Sequence, residues 1–328
     1  MGRVACIDIG TVTCRLAVAD VANGRVEHLH KRSTIVDLGE NLTQTGRICE
    51  AARERVLACV DGYLSEARSM EAPVICCTLT SAARDASNSD DLLADFAARG
   101  LKAQVIPGEV EGRLTLLGVC QDFPGHLVLV ADNGGGSTEL ALGVLTEGGL
   151  DARAIRSVDV GCRRVTERFL SAGDPPSADD LAAAHAFAAE FFDDTVRELG
   201  LRDAGAERLV VTGGTVTSLV AVDAELEPYD PSYVHLHEMT RAQVDGLEQR
   251  LAAITVAERA GLPGLQPKRA RVILGGTVAV SELMRATGFD RLTVSESDLL
   301  FGLALTVDGV CGQGLSPVSW EPELTSLV

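Results

Sequence analysis

The residues best suited to chemistry in this chain lie in one short stretch of acids, hydroxyls and glycines. They follow an apolar run that predicts a buried strand, and in order they are Asp132, Gly134, Gly135, Gly136, Ser137, Thr138 and Glu139. Glycines let backbone N–H groups close on an anion, because no Cβ stands in the way. The two acids could hold Mg²⁺ beside a phosphate. An ordinary tight hairpin is the alternative, and we favour a phosphate loop.

The elements that must position this stretch occur twice, and a third loop accompanies them. An apolar strand, 3–9, carries Asp8 near its end and is followed by a turn and a second strand. We include Asp8 among the candidate metal ligands. The polar residues of the first turn and of the glycine turn after strand 208–211 are Gly10, Thr11, Thr13, Arg15, Gly213, Gly214 and Thr215. Three such loops, two of them in duplicate hairpins, predict two similar halves facing across a cleft.

Two further stretches place polar residues where a helix begins. Residues 80–88 follow a predicted strand, and from there Arg84 and Asn88 could reach a phosphate. A capped helix with surface polar groups explains the same stretch equally well. Glu111 lies in the first turn of a helix that Pro107 opens, where a carboxylate is usually a dipole partner. Because this helix leads into the glycine stretch, Glu111 could also deprotonate a water.

Composition narrows the class of protein. The chain has 328 residues, of which 46% are hydrophobic and 23% charged, and this favours a soluble protein of two domains. The N-terminus enters a strand at once, and no apolar run reaches membrane-spanning length, so we expect a cytoplasmic protein without a membrane partner. A net charge of −18 argues against nucleic acid as a partner.

The nine cysteines favour a reducing environment. Their number is odd and no C-x-x-C pair occurs, so reduced core cysteines fit better than a disulfide or zinc framework. Cys14 differs because it lies in the first phosphate-type turn. There a reactive thiol and a packing role are both open, and packing is favoured.

The order of the predicted elements suggests where the domains divide. We expect a first domain over residues 1–120 and a second over 121–295. A last helix, about 296–308, should pack back on the first domain, and a short polar tail, 309–328, should be loose.

Taken together, these stretches give the chain a family resemblance. From about residue 3 to residue 305 it resembles the exopolyphosphatase/guanosine pentaphosphate phosphohydrolase (Ppx/GppA) family, within the actin-like ATPase-domain superfamily. The resemblance rests on DIGTVTCRL, TSAARDASN, VIPGEVEGRLTLLGV, ADNGGGSTEL, VDVGCRRVTERFL, VTGGTVTSL and KRARVILGG, in that order. It implies an α/β actin-like fold of two ribonuclease H-like domains with an interdomain active-site cleft.

The resemblance also implies roles for single residues. Glu111 matches the proposed general base, Asp132 and Glu139 match acids tied to Mg²⁺, and the three turns, with Arg84 and Asn88, match phosphate-binding positions. The family removes a terminal phosphate from inorganic polyphosphate or from guanosine pentaphosphate. An exopolyphosphatase is therefore the leading prediction, and a (p)ppGpp phosphohydrolase is the alternative. The oligomeric state is left open, and a homodimer is compatible with the sequence.

The sequence departs from the family pattern at several positions. Residues of another type stand where the family has a polar or acidic group or, at Asn133, a hydrophobic one; these are Val12, Val110, Asn133, Arg271 and Leu300. Because the base and the metal acids are present, we predict activity. Val12 and Leu300 leave open a catalytically silent binder of polyphosphate or nucleotide. An actin-fold ATPase or kinase is a further alternative.

Overall fold

The chain contains both strands and helices. This computed structural model describes residues 2–328 except the side chain of residue 313. The first ten elements are β1 Gly2–Ile9, β2 Thr13–Ala22, β3 Arg25–Ile35, α1 Leu42–Thr45, α2 Glu50–Ser69, β4 Val74–Leu79, α3 Ser81–Asp85, α4 Ser89–Ala98, β5 Ala103–Val105 and α5 Gly108–Cys120. The next eight are β6 Val128–Asn133, β7 Thr138–Thr146, β8 Gly149–Val158, α6 Cys162–Phe169, α7 Ala178–Glu198, β9 Arg208–Thr212, α8 Gly214–Asp223 and α9 Pro231–Val234. The remaining elements are β10 Glu238–Thr240, α10 Arg241–Ala252, α11 Val256–Arg259, α12 Ile273–Thr287, β11 Arg291–Ser295, α13 Leu299–Gln313 and β12 Leu324–Ser326, besides two short 3₁₀ turns, Leu201–Asp203 and Pro267–Arg269.

The chain forms two compact units. Unit 1 comprises the residues up to Asp122, Leu145–Leu150 and Leu299–Val328, and unit 2 comprises Phe123–Val144 and Asp151–Asp298. Unit 1 is therefore built from segments on both sides of unit 2 in the sequence. Within the described residues, every helix is too short or too polar to cross a lipid bilayer.

The sheet of unit 1 has the order β3-β2-β1-β4, with β5 and β12 both paired to the outer edge of β4. The first three strands are antiparallel neighbours, whereas β4 and β5 run parallel to β1. Asn23 and Gly24 form the turn between β2 and β3 with φ of 52° and 72°, the left-handed values that a two-residue hairpin of this type requires.

Helices cover both faces of this sheet. On one face, α2 and α4 bury alternate residues of β1, β2 and β4 in a single cluster. On the other face, α5 and α13 pack on the intervening residues of the same strands. Gly302 makes the contact between α5 and α13 possible, because a Cβ there would overlap the carbonyl group of Leu114. Both faces of the central strand β1 are therefore buried from solvent.

The sheet of unit 2 repeats this arrangement in the order β8-β7-β6-β9-β11, extended by β10. Again β6 and β7 form an antiparallel hairpin, and β9 and β11 run parallel to β6 and to each other. Helices α6, α7, α8, α10 and α12 bury one face of the sheet. The strand order third-second-first-fourth occurs in each unit, and the predicted α/β fold with ribonuclease H-like halves is confirmed.

Two elements near the C-terminal end of the sequence differ from the prediction. The last helix begins at Leu299 rather than at residue 296, and it continues to Gln313. Residues 309–328 are not a loose tail, because Leu324–Ser326 pairs with Val74–Cys76 of β4 in antiparallel register. The short apolar-polar alternation of this strand was too weak to predict, and an existing strand edge supplies its hydrogen bonds.

Candidate functional site

The first two predicted loops close in the same way. The N–H of Gly10 donates to the carbonyl oxygen of Thr13 at 2.9 Å, and that of Gly134 donates to the carbonyl oxygen of Ser137 at 3.0 Å. In each hairpin an aspartate lies two residues before the glycine and faces a charged residue on the next strand. Asp8 faces Arg15, and Asp132 faces Glu139. The duplication read from the sequence is therefore present in the backbone.

The carbonyl groups of the glycine loop in unit 2 all turn toward α6. Gly134 and Gly135 accept hydrogen bonds from the N–H groups of Cys162 at 2.9 Å and of Arg163 at 2.8 Å. The carbonyl of the third glycine accepts one from Nε of Arg164 at 2.6 Å. The first turn of α6 therefore binds this loop.

This arrangement determines where the N–H groups of the loop point. In a planar trans peptide, the N–H of one residue points opposite to the carbonyl of the residue before it. The N–H groups of Gly135, Gly136 and Ser137 therefore point away from α6. Three consecutive N–H groups with a shared direction form a concave site for an anion.

Close packing, rather than a turn, explains Gly161 at the start of α6. A Cβ on Gly161 would overlap the backbone of Gly135 and Gly136, at distances of 2.5–2.6 Å. Any larger residue would push α6 away from the loop. Gly161 was not among the predicted site residues, although it lies in the quoted VDVGCRRVTERFL stretch.

The two acids of this hairpin are direct cross-strand partners. Asp132 faces Glu139, and the two are only 6% and 2% exposed. Directly opposed residues lie on one face of a sheet, so the carboxylates are neighbours. Oε1 of Glu139 accepts hydrogen bonds from Ser137 Oγ at 2.8 Å and from Ser157 Oγ at 2.7 Å. Sequence reasoning missed Ser157, because it lies on the next strand with no local signal.

The third loop lies against the second. Gly213 has φ of 109°, and a Cβ there would be 2.6 Å from the carbonyl oxygen of Asn133 and 3.2 Å from Oδ1 of Asp132. Only glycine satisfies both conditions. Thr215 is buried in the first turn of α8, which begins at this loop.

An arginine that was not predicted joins the third loop. The Arg269 guanidinium lies directly over Gly214, so that a Cβ on this glycine would overlap it. The positive group therefore sits at the N-terminal end of α8, where the helix dipole already favours an anion. Arg269 lies in the quoted KRARVILGG stretch, but nothing in its spacing tied it to this loop.

Asp8 and Arg15 bind each other through one oxygen of Asp8, and their metal and phosphate roles stay predictions. Nε and Nη2 of Arg15 donate to Oδ2 of Asp8 at 3.0 and 2.6 Å, and Asp8 is 2% exposed. The pair forms because the two residues are cross-strand partners in β1 and β2. A carboxylate neutralised by arginine is a poor metal ligand, so these contacts favour a structural role for both.

The other polar groups of the first loop are differently placed. Thr11 is 6% exposed, and among the described groups its hydroxyl has no hydrogen-bond partner. A buried hydroxyl without a partner points to a ligand or water that completes it. Gly10 and Thr13 close the turn as described above, and Thr13 is half-buried.

The structure brings Glu111 and Arg84 together. Nη1 of Arg84 donates to Oε2 of Glu111 at 2.6 Å and to the carbonyl oxygen of Ile106 at 2.9 Å. Glu111 is 7% exposed and lies in the first turn of α5. An arginine on the short helix after β4 thus fixes the orientation of the candidate base.

The side-chain amide of Asn88 binds the backbone of Ile48. Its Oδ1 accepts a hydrogen bond from the N–H of Ile48 at 2.8 Å, and its Nδ2 donates to the Ile48 carbonyl at 3.1 Å. These contacts tie the start of α4 to the segment before α2. They favour a structural role for Asn88 over a phosphate contact.

The carboxylate oxygens of Asp132 and Glu139 are of the type that binds a magnesium ion. Two buried carboxylates that face each other repel unless a cation or a proton lies between them. Magnesium is commonly held by one or two carboxylates together with substrate phosphates, and Asp132 and Glu139 supply two. The described residues contain no group of three or more His, Cys, Asp or Glu placed to hold a metal by themselves.

The departures from the family pattern lie partly in the core. Leu300 is fully buried in α13, and Val110 packs against the same cluster. Nδ2 of Asn133 donates to Thr138 Oγ1 at 2.9 Å, and Thr138 Oγ1 donates to the carbonyl of Val160 at 2.5 Å. Asn133 and Thr138 therefore join the hairpin to the strand end before α6.

The duplicated ribonuclease H-like sheets and their polar hairpin loops define a class of α/β enzymes that act on phosphate groups. The chain belongs to the Ppx/GppA phosphatase family, whose model matches residues 17–305. It is 36% identical over 323 residues to exopolyphosphatase 2 of Mycobacterium tuberculosis, covering 94% of this chain and 99% of that protein.

Solved structures agree with this assignment. The Ppx/GppA family member of Aquifex aeolicus is 28% identical, with a TM-score of 0.78 and coverage of 95% of this chain and 99% of its own. An exopolyphosphatase from Cytophaga hutchinsonii is 25% identical, with a TM-score of 0.82 and coverage of 97% and 100%. The predicted family and enzyme class are confirmed.

Proposed function

We propose that the chain hydrolyses the terminal phosphoryl group of inorganic polyphosphate, with Mg²⁺ as cofactor. The observation that carries the proposal is the glycine loop of unit 2, whose three consecutive N–H groups point away from α6 beside two buried carboxylates. The relatives named exopolyphosphatase support the choice of substrate. The nine free cysteines suit a cytoplasmic location, because that compartment keeps thiols reduced.

Binding of the phosphate chain is assigned to backbone groups and to one arginine. The N–H groups of Gly135, Gly136 and Ser137 would donate to the oxygens of one phosphate. Arg269 at the third loop would bind a further phosphate oxygen. The hydroxyl of Thr11 in the first loop stays a predicted phosphate donor. These groups are fixed before substrate arrives, so little reorganisation is needed.

Asp132 and Glu139 would hold Mg²⁺, which supplies positive charge to the phosphate oxygens when it is bound. Ser137 and Ser157 orient the Glu139 carboxylate through Oε1. Hydrogen-bonded support of this kind fixes the direction in which a carboxylate presents its remaining lone pairs.

Glu111 is assigned as the general base for the attacking water. Its carboxylate would take a proton from the attacking water while Arg84 holds Oε2 in place. The water oxygen then bonds to the terminal phosphorus, and the bond to the bridging oxygen breaks. Orthophosphate and a chain shorter by one phosphate are released.

The decisive experiment is phosphate release by the wild type and by Glu111→Gln. Glutamine keeps the shape but cannot accept the proton, so turnover should fall by about 10²–10⁴-fold while the circular dichroism spectrum is unchanged. Glu109→Gln is the matched control, because Glu109 lies in the same helix turn and is exposed. Equal turnover in wild type and Glu111→Gln would refute the role of Glu111.

The choice of substrate is tested in the same assay. Short polyphosphate, long polyphosphate, guanosine pentaphosphate and ATP are compared at equal phosphate concentration with excess Mg²⁺. We expect kcat/KM to be highest for polyphosphate. Preference for guanosine pentaphosphate would make the chain a (p)ppGpp phosphohydrolase. Binding of polyphosphate without phosphate release would make it a silent binder.

A further inference from the structure

The segment that joins β3 to α1 is bound to the first loop through the backbone. This joining segment comprises residues 36–41. The N–H of Val36 donates to the carbonyl oxygen of Val12 at 3.0 Å. The N–H of Gly39 donates to the carbonyl oxygen of Thr11 at 2.9 Å. The carbonyl groups of two successive residues of the first loop therefore point toward the joining segment.

The joining segment thus has the same relation to the first loop as α6 has to the glycine loop of unit 2. In a planar trans peptide, the N–H of one residue points opposite to the carbonyl of the residue before it. The N–H groups of Val12 and Thr13 therefore point away from the joining segment. The position of this segment determines the direction in which the first loop presents its N–H groups.

The backbone of the joining segment needs support from the structure around it. Asp37 and Asn41 have φ of 51° and 58°, in the left-handed region that non-glycine residues rarely adopt. Such conformations persist where the surrounding structure holds them. The side chains of Val36 and Leu38 are buried in the core cluster on the α2 side of the sheet, which anchors one face of the segment.

An arginine on α2 supplies polar support. Nε of Arg55 donates to the carbonyl oxygen of Val36 at 2.8 Å. Nη2 of Arg55 donates to the carbonyl oxygen of Asp37 at 3.2 Å and to Oε2 of Glu40 at 2.8 Å. The planar fork of donors on a guanidinium suits such a set of acceptors, and a lysine cannot reproduce it.

A tether that only stabilises the fold is the simpler explanation of Arg55. Its ion pair with Glu40 is more than a third exposed on both side chains, and such pairs contribute little to stability. The two carbonyl contacts are different, because Val36 and Asp37 are also the residues whose N–H groups both bind the carbonyl oxygen of Val12, each at 3.0 Å. The same two residues therefore connect the arginine to the first loop.

We propose that Arg55 is a positioning residue for phosphate binding, which acts through Val36 and Asp37 on the first loop. It keeps the carbonyl groups of this loop turned to the joining segment and the N–H groups free to face the phosphate chain. The proposal rests on the proposed function, because that function gives the first loop a phosphate to bind. Arg55 serves substrate binding and not the chemical step, so its loss changes KM rather than kcat.

Hydrogen exchange, followed by mass spectrometry, tests the connection without reference to activity. In Arg55→Gln, peptides that cover residues 10–14 and 36–41 should exchange faster than in the wild type. Arg53→Gln is the matched control, because Arg53 lies on the same helix and pairs with Asp95 at 2.5 Å, outside the joining segment. It should leave exchange in both peptides unchanged. Wild-type exchange at residues 10–14 in Arg55→Gln would overturn the proposal.

Phosphate release from polyphosphate tests the effect on binding. Arg55→Gln should raise KM by about tenfold, as expected for the loss of one hydrogen bond to a charged group, and should leave kcat within about twofold. Arg55→Lys should have an intermediate KM, since it keeps the charge and loses the fork. Arg53→Gln should keep the KM of the wild type, even where its melting temperature falls as far as that of Arg55→Gln.

The two measurements separate the possible failures. An unchanged KM in Arg55→Gln, or a loss confined to kcat, would overturn the role of Arg55 in binding. An equal rise of KM in Arg53→Gln would show a general effect of stability and would also overturn it. A wild type that releases no phosphate would count against the proposed function, and hydrogen exchange would still decide whether Arg55 holds the first loop.

Discussion

Arg15 and Glu139 occupy equivalent positions in the two hairpins. Each lies two residues beyond a loop closed by a glycine N–H, and each faces an aspartate across the strands. In unit 1 the facing residues carry opposite charges, and Arg15 forms an ion pair of 2.6 Å with Asp8. In unit 2 both are carboxylates. The same backbone motif thus places an ion pair across the strands in one unit and two facing acids in the other.

The first prediction concerns this acidic pair. Asp132→Asn or Glu139→Gln removes one of two facing negative charges, so affinity for a divalent cation should fall by about tenfold or more. Mn²⁺ binding, followed by electron paramagnetic resonance, measures this independently of turnover. Asp151→Asn on exposed β8 is the control and should bind like wild type. If both variants bind Mn²⁺ as the wild type does, Asp132 and Glu139 are not the metal ligands.

The second prediction concerns the arginine that holds the candidate base. Arg84→Gln removes the hydrogen bond to Glu111 Oε2, so the carboxylate is no longer fixed and turnover should fall by about 10- to 100-fold. Arg84→Lys should retain part of the rate, since the charge remains but the fork of donors is lost. A change in KM alone would instead indicate that Arg84 binds substrate.

Stability must be measured in the same variants. Breaking a largely buried pair leaves one charge without its partner, and this can cost up to about 3 kcal/mol of unfolding free energy. Arg99→Gln breaks the more exposed pair with Asp61 in the same unit and should cost less than about 1 kcal/mol.

The third prediction concerns the contact between α6 and the glycine loop. Gly161→Ala places a methyl group where the backbone of Gly135 and Gly136 lies, so the loop must move. The N–H groups then lose their common direction, and KM for polyphosphate should rise more than turnover falls. Gly246→Ala on α10 is the control, because nothing lies within 4 Å of a Cβ there. It should be neutral or stabilising by about 0.5–1 kcal/mol.

The fourth prediction concerns pH and stability. His185 on α7 lies between Glu282 at 2.6 Å and Glu248 at 2.7 Å, and these hydrogen bonds raise the pKa of His185 to about 9. A raised pKa means that the folded state binds the proton more tightly than the unfolded state. The stabilisation is therefore complete below pH of about 6.5 and is lost as pH rises through about 9.

Chemical denaturation of wild type and His185→Gln measures this effect. The variant should be less stable by roughly 1–3 kcal/mol near pH 6, and the difference should shrink by pH 10. His28→Gln on the exposed side of β3 is the control for loss of an imidazole that lies outside this carboxylate pair. A difference that does not change with pH would contradict the charged state of His185.

The sequence predicted parts of the site that are local and missed those that depend on distant pairing. The glycine loop, its two acids and the first turn of α5 are each formed by residues close together in the sequence, so their type and spacing were enough to make them candidates. The partner of Glu111 could not be predicted, because Arg84 reaches it from a separate helix. Ser157 and Arg269 are likewise brought in by tertiary packing.

One contact between predicted site residues could have been predicted from the sequence. Asp8 and Arg15 flank a tight turn between two strands, and a hairpin of that length makes them direct partners. An acid opposite an arginine at such a position predicts an ion pair before it predicts a metal ligand. The weak edge strand Leu324–Ser326 is different, because its pairing depends on the free side of β4.

The discontinuous make-up of unit 1 has a consequence for biosynthesis. Phe123–Val144 and Asp151–Asp298 are translated before Leu299–Val328, which supplies a helix and an edge strand to unit 1. Among the segments of unit 1, Leu299–Val328 is translated last, so the apolar face that α13 covers stays unburied until that segment has been made.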